Sequence, residues 1–243
     1  MIQNHRITIS YDGTDYHGWQ KQRKRRTIQG ELETALKKIL SVETPVIGSG
    51  RTDAGVHALA QVAHFKAKTR LDSGEFMRAF NGTLPRDIRV TSLQRVSTDF
   101  HARKSAKSKI YRYRILNSPR ISPFLLRYVL LWPSALDIQI MSEAAALFTG
   151  EYDFTSFSSN KELHPVRSVI LSKINQRGKE IAYDVEANGF LRYMVRSIVG
   201  TLLEVGRGKM RPEDIEDMFK KKKRSPRSPT APAKGLCLIK VKY

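Results

Sequence analysis

Residues 46–65 read VIGSGRTDAGVHALAQVAHF and hold one carboxylate, Asp53, with glycines on both sides and Arg51 two residues before it. Several chemistries compete for this segment. A dinucleotide fingerprint G-x-G-x-x-G needs glycine where Asp53 stands, and no amphipathic helix follows. A phosphate-binding P-loop fails as well, because no Gly-Lys-Ser/Thr follows at the required spacing. Metal-assisted chemistry would draw on Asp53, His57, His64 and His101, but two-metal sites gather several carboxylates and this segment has one. His5, His17 and His164 are scattered, so no metal is expected. Ser49 lies close to Asp53 without a nucleophile-elbow pattern around it. Asp53 alone remains, as a nucleophile or electrostatic stabiliser acting on an electron-poor ring carbon or an anomeric carbon. That role needs an ionised acid in a partly dry site, which a nearby arginine favours. The flanking glycines would let a nucleic-acid backbone come close. The competing reading is an aspartate that only bonds turn amides.

The rest of the chain has to position such an acid. Its 243 residues suffice for one large or two modest domains. Hydrophobic content of 40% and charged content of 27% are those of an ordinary folded protein. The formal net charge of +20 is far from ordinary and points to a polyanionic partner, nucleic acid before an anionic membrane surface. The opening MIQNHRITIS lacks the apolar run of a secretory leader, and no stretch reaches membrane-spanning length. A single cysteine, Cys237, leaves no internal disulfide and fits a reducing compartment. A cytoplasmic protein without membrane contact is expected.

Residues 6–11 alternate with Ile7, Ile9 and Tyr11 on one face, which predicts a strand. Thr27 can cap a helix running to about residue 40 on Ile28, Leu32, Leu36 and Ile39. VAHFKA reads as a strand, and Asp72 or Ser73 opens a short helix with Phe76 and Phe80 that stops near Gly82 and Pro85. The polar, basic stretch near residue 105 marks a domain boundary, giving 1–104 and 105–243. The second part opens with the strand KIYRYRILN, followed by a helix over 137–148 and two strands around a hairpin at Arg177-Gly178. Residues 190–208 predict the strongest helix, striped by Phe190, Met194, Ile198, Leu202 and Val205. A shorter helix after Pro212 and a closing strand GLCLIKVKY complete the pattern. Strands and helices mix without repeating βα units, so the fold class is α+β with mainly antiparallel sheets.

Basic charge concentrates in residues 21–26, 103–109, 112–114 and 220–227. One such run is usually a solvated face. Four together suggest a surface that follows phosphates. In KIYRYR, Tyr111 and Tyr113 stand among arginines, where strand-borne rings can stack on unpaired RNA bases or serve as core residues. A non-catalytic basic RNA-binding protein would share these features, but an acid placed at Asp53 would weaken its grip on phosphate.

Seven segments in order resemble the TruA-type tRNA pseudouridine synthases: YDGTDYHGWQ, RTIQGELETALKKIL, GSGRTDAGVHALAQVAHF, KIYRYRILN, DFTSF, FLRYMVRSIVGTLLEVG and TAPAKGLCLIKVKY. GRTDAGVHA is highly specific. The resemblance implies two α+β domains with central sheets flanked by helices, an active-site cleft between them, and a homodimer that holds tRNA in basic clefts. It implies isomerisation of uridine at positions 38, 39 and 40 of the anticodon stem-loop, without cofactor or metal. By the same resemblance, Asp53 is the catalytic nucleophile and Arg51 helps turn the target nucleotide out. Tyr111 stacks on or assists at the base, and Arg196 pairs with the catalytic carboxylate. Arg192, four residues earlier on the expected helix, would then face a phosphate. The chain departs from the family at Arg227-Ser228, where Ala-Gly is common.

Overall fold

The computed structural model describes residues 1–159, 163–223, 225 and 228–243. The fold is α+β, a large mixed, mainly antiparallel sheet flanked by helices. Contacts divide it into two compact units, Met1–Lys107 with Leu238–Tyr243, and Ser108–Cys237.

In the first unit, β1 (Gln3–Tyr11) is the central strand. It pairs antiparallel with β3 (His57–Ala67) on one side and β4 (Ile88–Val96) on the other. The two-residue β2 (Ile47–Gly48) pairs with β3. β1 keeps the expected alternation, with Ile7, Ile9 and Tyr11 buried. β3 starts five residues before the strand expected at VAHFKA. Its residues 61–65 are buried on both faces, so the alternation that advertises a half-exposed strand is missing. α1 (Ile28–Leu40) begins under Thr27, whose side chain accepts from the Gly30 amide, and closes on a left-handed Ser41. α2 (Ser73–Thr83) carries a reciprocal box in which Asp72 accepts from the Glu75 amide and Glu75 accepts from the Asp72 amide. The Glu75 amide, donating to it, holds the Asp72 carboxyl below its ordinary range. Phe76 and Phe80 are fully buried and meet Phe65 edge-on.

His5 sits in this aromatic core, stacked on Phe65 and edge-on to Phe76, with neither ring nitrogen hydrogen-bonded among the described residues. Burial, with the Arg95 charge, lowers its pKa. The unfolded chain therefore takes up a proton that the folded chain resists. Stability is retained above the ordinary histidine value and declines as pH falls below about 6.5. His64 shifts the same way, mainly through burial. His5→Leu is expected to flatten the fall in melting temperature between pH 7 and pH 5; an unchanged slope would contradict this account.

In the second unit, β5 (Ser108–Asn117) runs parallel to β6 (Leu130–Trp132). On its other side β5 pairs antiparallel with β9 (Glu180–Ala187). β9 forms the hairpin with β8 (Val166–Arg177) across a left-handed Gly178, and β8 pairs with β7 (Gly150–Asp153). α3 (Ile138–Ala146), capped by Asp137, packs on β8 and against α4 (Met194–Gly206) and α5 (Pro212–Lys221). Phe148, Phe154, Phe157 and Phe219 interlock as one aromatic cluster. α4 is apolar nearly all round and buried accordingly. The final strand, β10 (Leu236–Lys242), carries the chain from the second unit into the first. Of the basic run 220–227, Arg224, Pro226 and Arg227 lie outside the described residues. No helix among the described residues is long and apolar enough to cross a membrane.

Candidate active site

In the first unit Asp53 lies in the connection between β2 and β3 and is half-buried. The connection has no regular structure, so its shape depends on clamps from neighbouring segments. At its start, buried Ser49 donates its amide to Val62 O and its hydroxyl to Gln61, while Gln61 donates to Gly50 O. At its centre, the Thr52 hydroxyl shares a 2.8 Å hydrogen bond with Tyr11, and Thr52 O accepts from the Trp19 amide. At its end, the Asp53 carbonyl accepts from the Val56 amide, and the left-handed Gly55 donates to Tyr16 O. Main chain on both sides of Asp53 is thereby fixed, which is what a reacting carboxylate requires of its support.

The segment 12–19 presses on this loop at contacts only glycine permits. A Cβ on Gly13 would collide with Val56 O, and one on Gly18 would stand 2.6 Å from Thr52 O. Gly18 also has a left-handed φ of +85°. Gly18→Ala is expected to cost about 1–3 kcal/mol through strain and displacement of the Thr52 carbonyl. Urea unfolding measures it, and a variant as stable as the parent would remove Gly18 from this support. His57 adds a further tie. Its Nδ1 lies 3.1 Å from both the Gly13 amide and Asp12 Oδ1. A neutral ring accepts from Gly13 and a protonated ring donates to Asp12, so in either state it joins the DGT turn to β3.

Arg51 is exposed beside Asp53 in sequence and donates its Nε–H to Gln20 Oε1 at 2.9 Å. Exposed basic residues 21–26 follow Gln20 in a tight turn, with Lys24 left-handed. No motif in the sequence marks Gln20, Gln29, Glu33 or Gln61. The available signal is Glu33, a carboxylate four residues after Gln29 and beside Leu32 on a helix face that turns inward.

In the second unit Tyr111 points inward from β5, buried, with its ring edge-on to Phe190 at 5.0 Å. Tyr113 is fully buried, donates to Pro232 O, and presses its ring against Gly235. It is a core residue whose ring has no face free to stack on a base, contrary to the stacking role its place among the arginines allowed. Burial pushes its hydroxyl pKa upward. Arg112 and Arg114, expected to follow phosphates, instead form two-point ion pairs across to β9, with Asp184 and Glu180. Each charge is answered by a cross-strand acid, as the antiparallel register dictates.

Arg196 occupies the first turn of α4 and is half-buried. Its Nε–H donates to Ala231 O at 2.8 Å, while its own carbonyl accepts from the Ala231 amide. Segment 228–232 is locked to α4 by more than this pair. A Cβ on Gly200 would collide with Pro229 O, and Ser228 shares a hydrogen bond with Thr201. The guanidinium also lies 4.7 Å from the Tyr193 ring centre. Tyr193 has a left-handed φ of 62°, so the helix begins at Met194 and Phe190 lies outside the expected stripe. Arg192 precedes the helix too. It is not one turn below Arg196 but approaches the same Tyr193 ring, at 5.1 Å.

The two units thus present a clamped aspartate loop on one and a tyrosine strand with an arginine helix on the other. The sequence profile described as tRNA pseudouridine synthase matches residues 7–103 and 144–243, including Asp53 and Arg196, and sets the class as pseudouridine synthase. Over 252 aligned residues the chain is 44% identical to tRNA pseudouridine synthase A of Thermodesulfovibrio yellowstonii, with 99% of both chains covered. It is 43% identical to that of Caldicellulosiruptor saccharolyticus and 41% to that of Acetivibrio thermocellus, each over the full length of both chains. The chain belongs to the tRNA pseudouridine synthase A (TruA) family, an isomerase family.

Proposed function

We propose that this synthase acts on tRNA, at uridines 38, 39 and 40 of the anticodon stem-loop, with Asp53 as nucleophile. Tyr111, Arg51 and Arg196 bind the target nucleotide after it leaves its stack, an unstacking that costs a few kcal/mol. The reaction breaks the N1–C1′ bond and joins C5 to C1′. The C5 proton leaves to solvent and N1 gains one, so the product is an isomer and no redox partner or cofactor is required. Phosphate contacts from exposed residues 21–26 and 103–107 offset the unstacking. The expected assembly is a cytoplasmic homodimer.

The observation that carries this reading is the support around Asp53. An RNA-binding loop has no use for a carboxylate held by clamps from three segments inside a chain of +20 formal charge. Tritium release from tRNA labelled at uridine C5 tests it, with product mapping at 38–40. Binding of tRNA without tritium release would favour the non-catalytic RNA-binding reading instead. Sedimentation of the free protein checks the dimer.

A further inference from the structure

We propose that Gln20 is a positioning residue for Arg51, at the head of a one-way hydrogen-bond chain that ends on Glu33 and aims the Arg51 guanidinium at a phosphate of the target nucleotide. The proposal rests on the reading of Arg51 as a substrate-binding residue.

The chain can be followed atom by atom. Arg51 Nε–H donates to Gln20 Oε1, and Gln20 Nε2 donates to Gln29 Oε1 at 2.7 Å. Gln29 Nε2 donates to Glu33 Oε1 at 2.9 Å and to Val46 O at 3.1 Å. Glu33 Oε1 also accepts from the Val46 amide, and Glu33 Oε2 takes the Lys21 ammonium at 2.8 Å. The Lys21 amide donates to Gln29 Oε1, so both ends of the Gln29 amide are committed and it cannot flip. Donors point toward Glu33 at every step, from a cation at one end to a buried carboxylate at the other. Bonds aligned in this way polarise one another, and Glu33 is only 8% exposed.

The chemistry of the guanidinium gives the chain its use. Engaging Nε fixes the plane of the group and leaves the two Nη nitrogens as a flat fork, which suits two phosphate oxygens. Arg51 is exposed and follows a glycine, so its own surroundings do little to orient it. Without Gln20 the charge persists but its direction does not. In so basic a chain one misdirected arginine changes overall RNA affinity little. It changes the rate, because turning one nucleotide out depends on geometry.

The test uses the full-length protein, single-turnover tritium release with enzyme in excess, and filter binding of the same tRNA. Gln20→Ala is expected to slow the single-turnover rate by ~10-fold or more with Kd changed less than threefold. The double variant Gln20→Ala/Arg51→Ala should be no slower than Arg51→Ala alone, since the first substitution acts through the second residue. Gln20→Met keeps the side-chain volume without its polar ends and should lose as much as Gln20→Ala. Losses that add in the double variant, or recovery of rate in Gln20→Met, would assign Gln20 to packing and overturn the proposal. If Arg51→Ala alone keeps the parent rate, the reading of Arg51 fails and the positioning role fails with it.

Discussion

Asp53→Asn should lower tritium release from C5-labelled tRNA below ~10⁻³ of the parent rate while leaving tRNA binding within about threefold. The substitution is nearly isosteric and keeps the Asp53 carbonyl that accepts from Val56. Clamps on Ser49, Thr52 and Gly55 involve other residues and persist. What disappears is the negative charge and the nucleophilic oxygen. The melting temperature should therefore stay close to that of the parent, separating lost chemistry from lost structure. An Asn variant turning over at even a tenth of the parent rate would remove Asp53 from the nucleophile's role, whatever the class of the enzyme.

The second large effect is expected at Arg196. Arg196→Ala should reduce turnover by ~10²–10³-fold, the scale seen when one fixed charge aimed at a reacting centre is removed. In the structure the side chain also bonds Ala231 O, so a stability loss of about 1–3 kcal/mol should accompany it. The reciprocal bond from the Ala231 amide is main chain and survives. Arg196→Lys distinguishes the two roles. A lysine keeps the charge but lacks the planar fork that can bond Ala231 and still direct a second edge elsewhere. It is expected to recover stability more than turnover. Recovery of full turnover in the lysine variant would reduce Arg196 to a diffuse charge.

Much of this was legible in the sequence where local chemistry and pattern agreed. Thr27 and Asp72 opened helices because their side chains satisfy amides no helix can satisfy internally. Arg177-Gly178 marked its hairpin because glycine adopts the left-handed turn at no steric cost. Pattern misled where burial was complete. β3 hid its first half because apolar Leu59 is exposed there and polar Gln61 is buried, which inverts the usual pattern, and Phe190 was drawn into a helical stripe that Tyr193 ends. The arginines of KIYRYR looked like phosphate ligands until the register placed Asp184 opposite Arg112 and Glu180 diagonally across from Arg114. No single segment contains both partners of such a pair.

The amino-acid sequence alone determined the charge, the α+β class and the family resemblance that singles out Asp53 as the proposed acid, because each is written in composition or in a run of adjacent residues. Tertiary structure decided what holds that acid still. Tyr11, Trp19 and the close approach of Gly18 reach the loop from elements distant in sequence, and their meeting follows from strand pairing and packing. It also decided that Arg51 faces outward on a tether of two glutamines and a buried glutamate. Hydrogen bonds are directional and short, so which polar groups share one becomes definite only when the backbone has brought them within 3 Å.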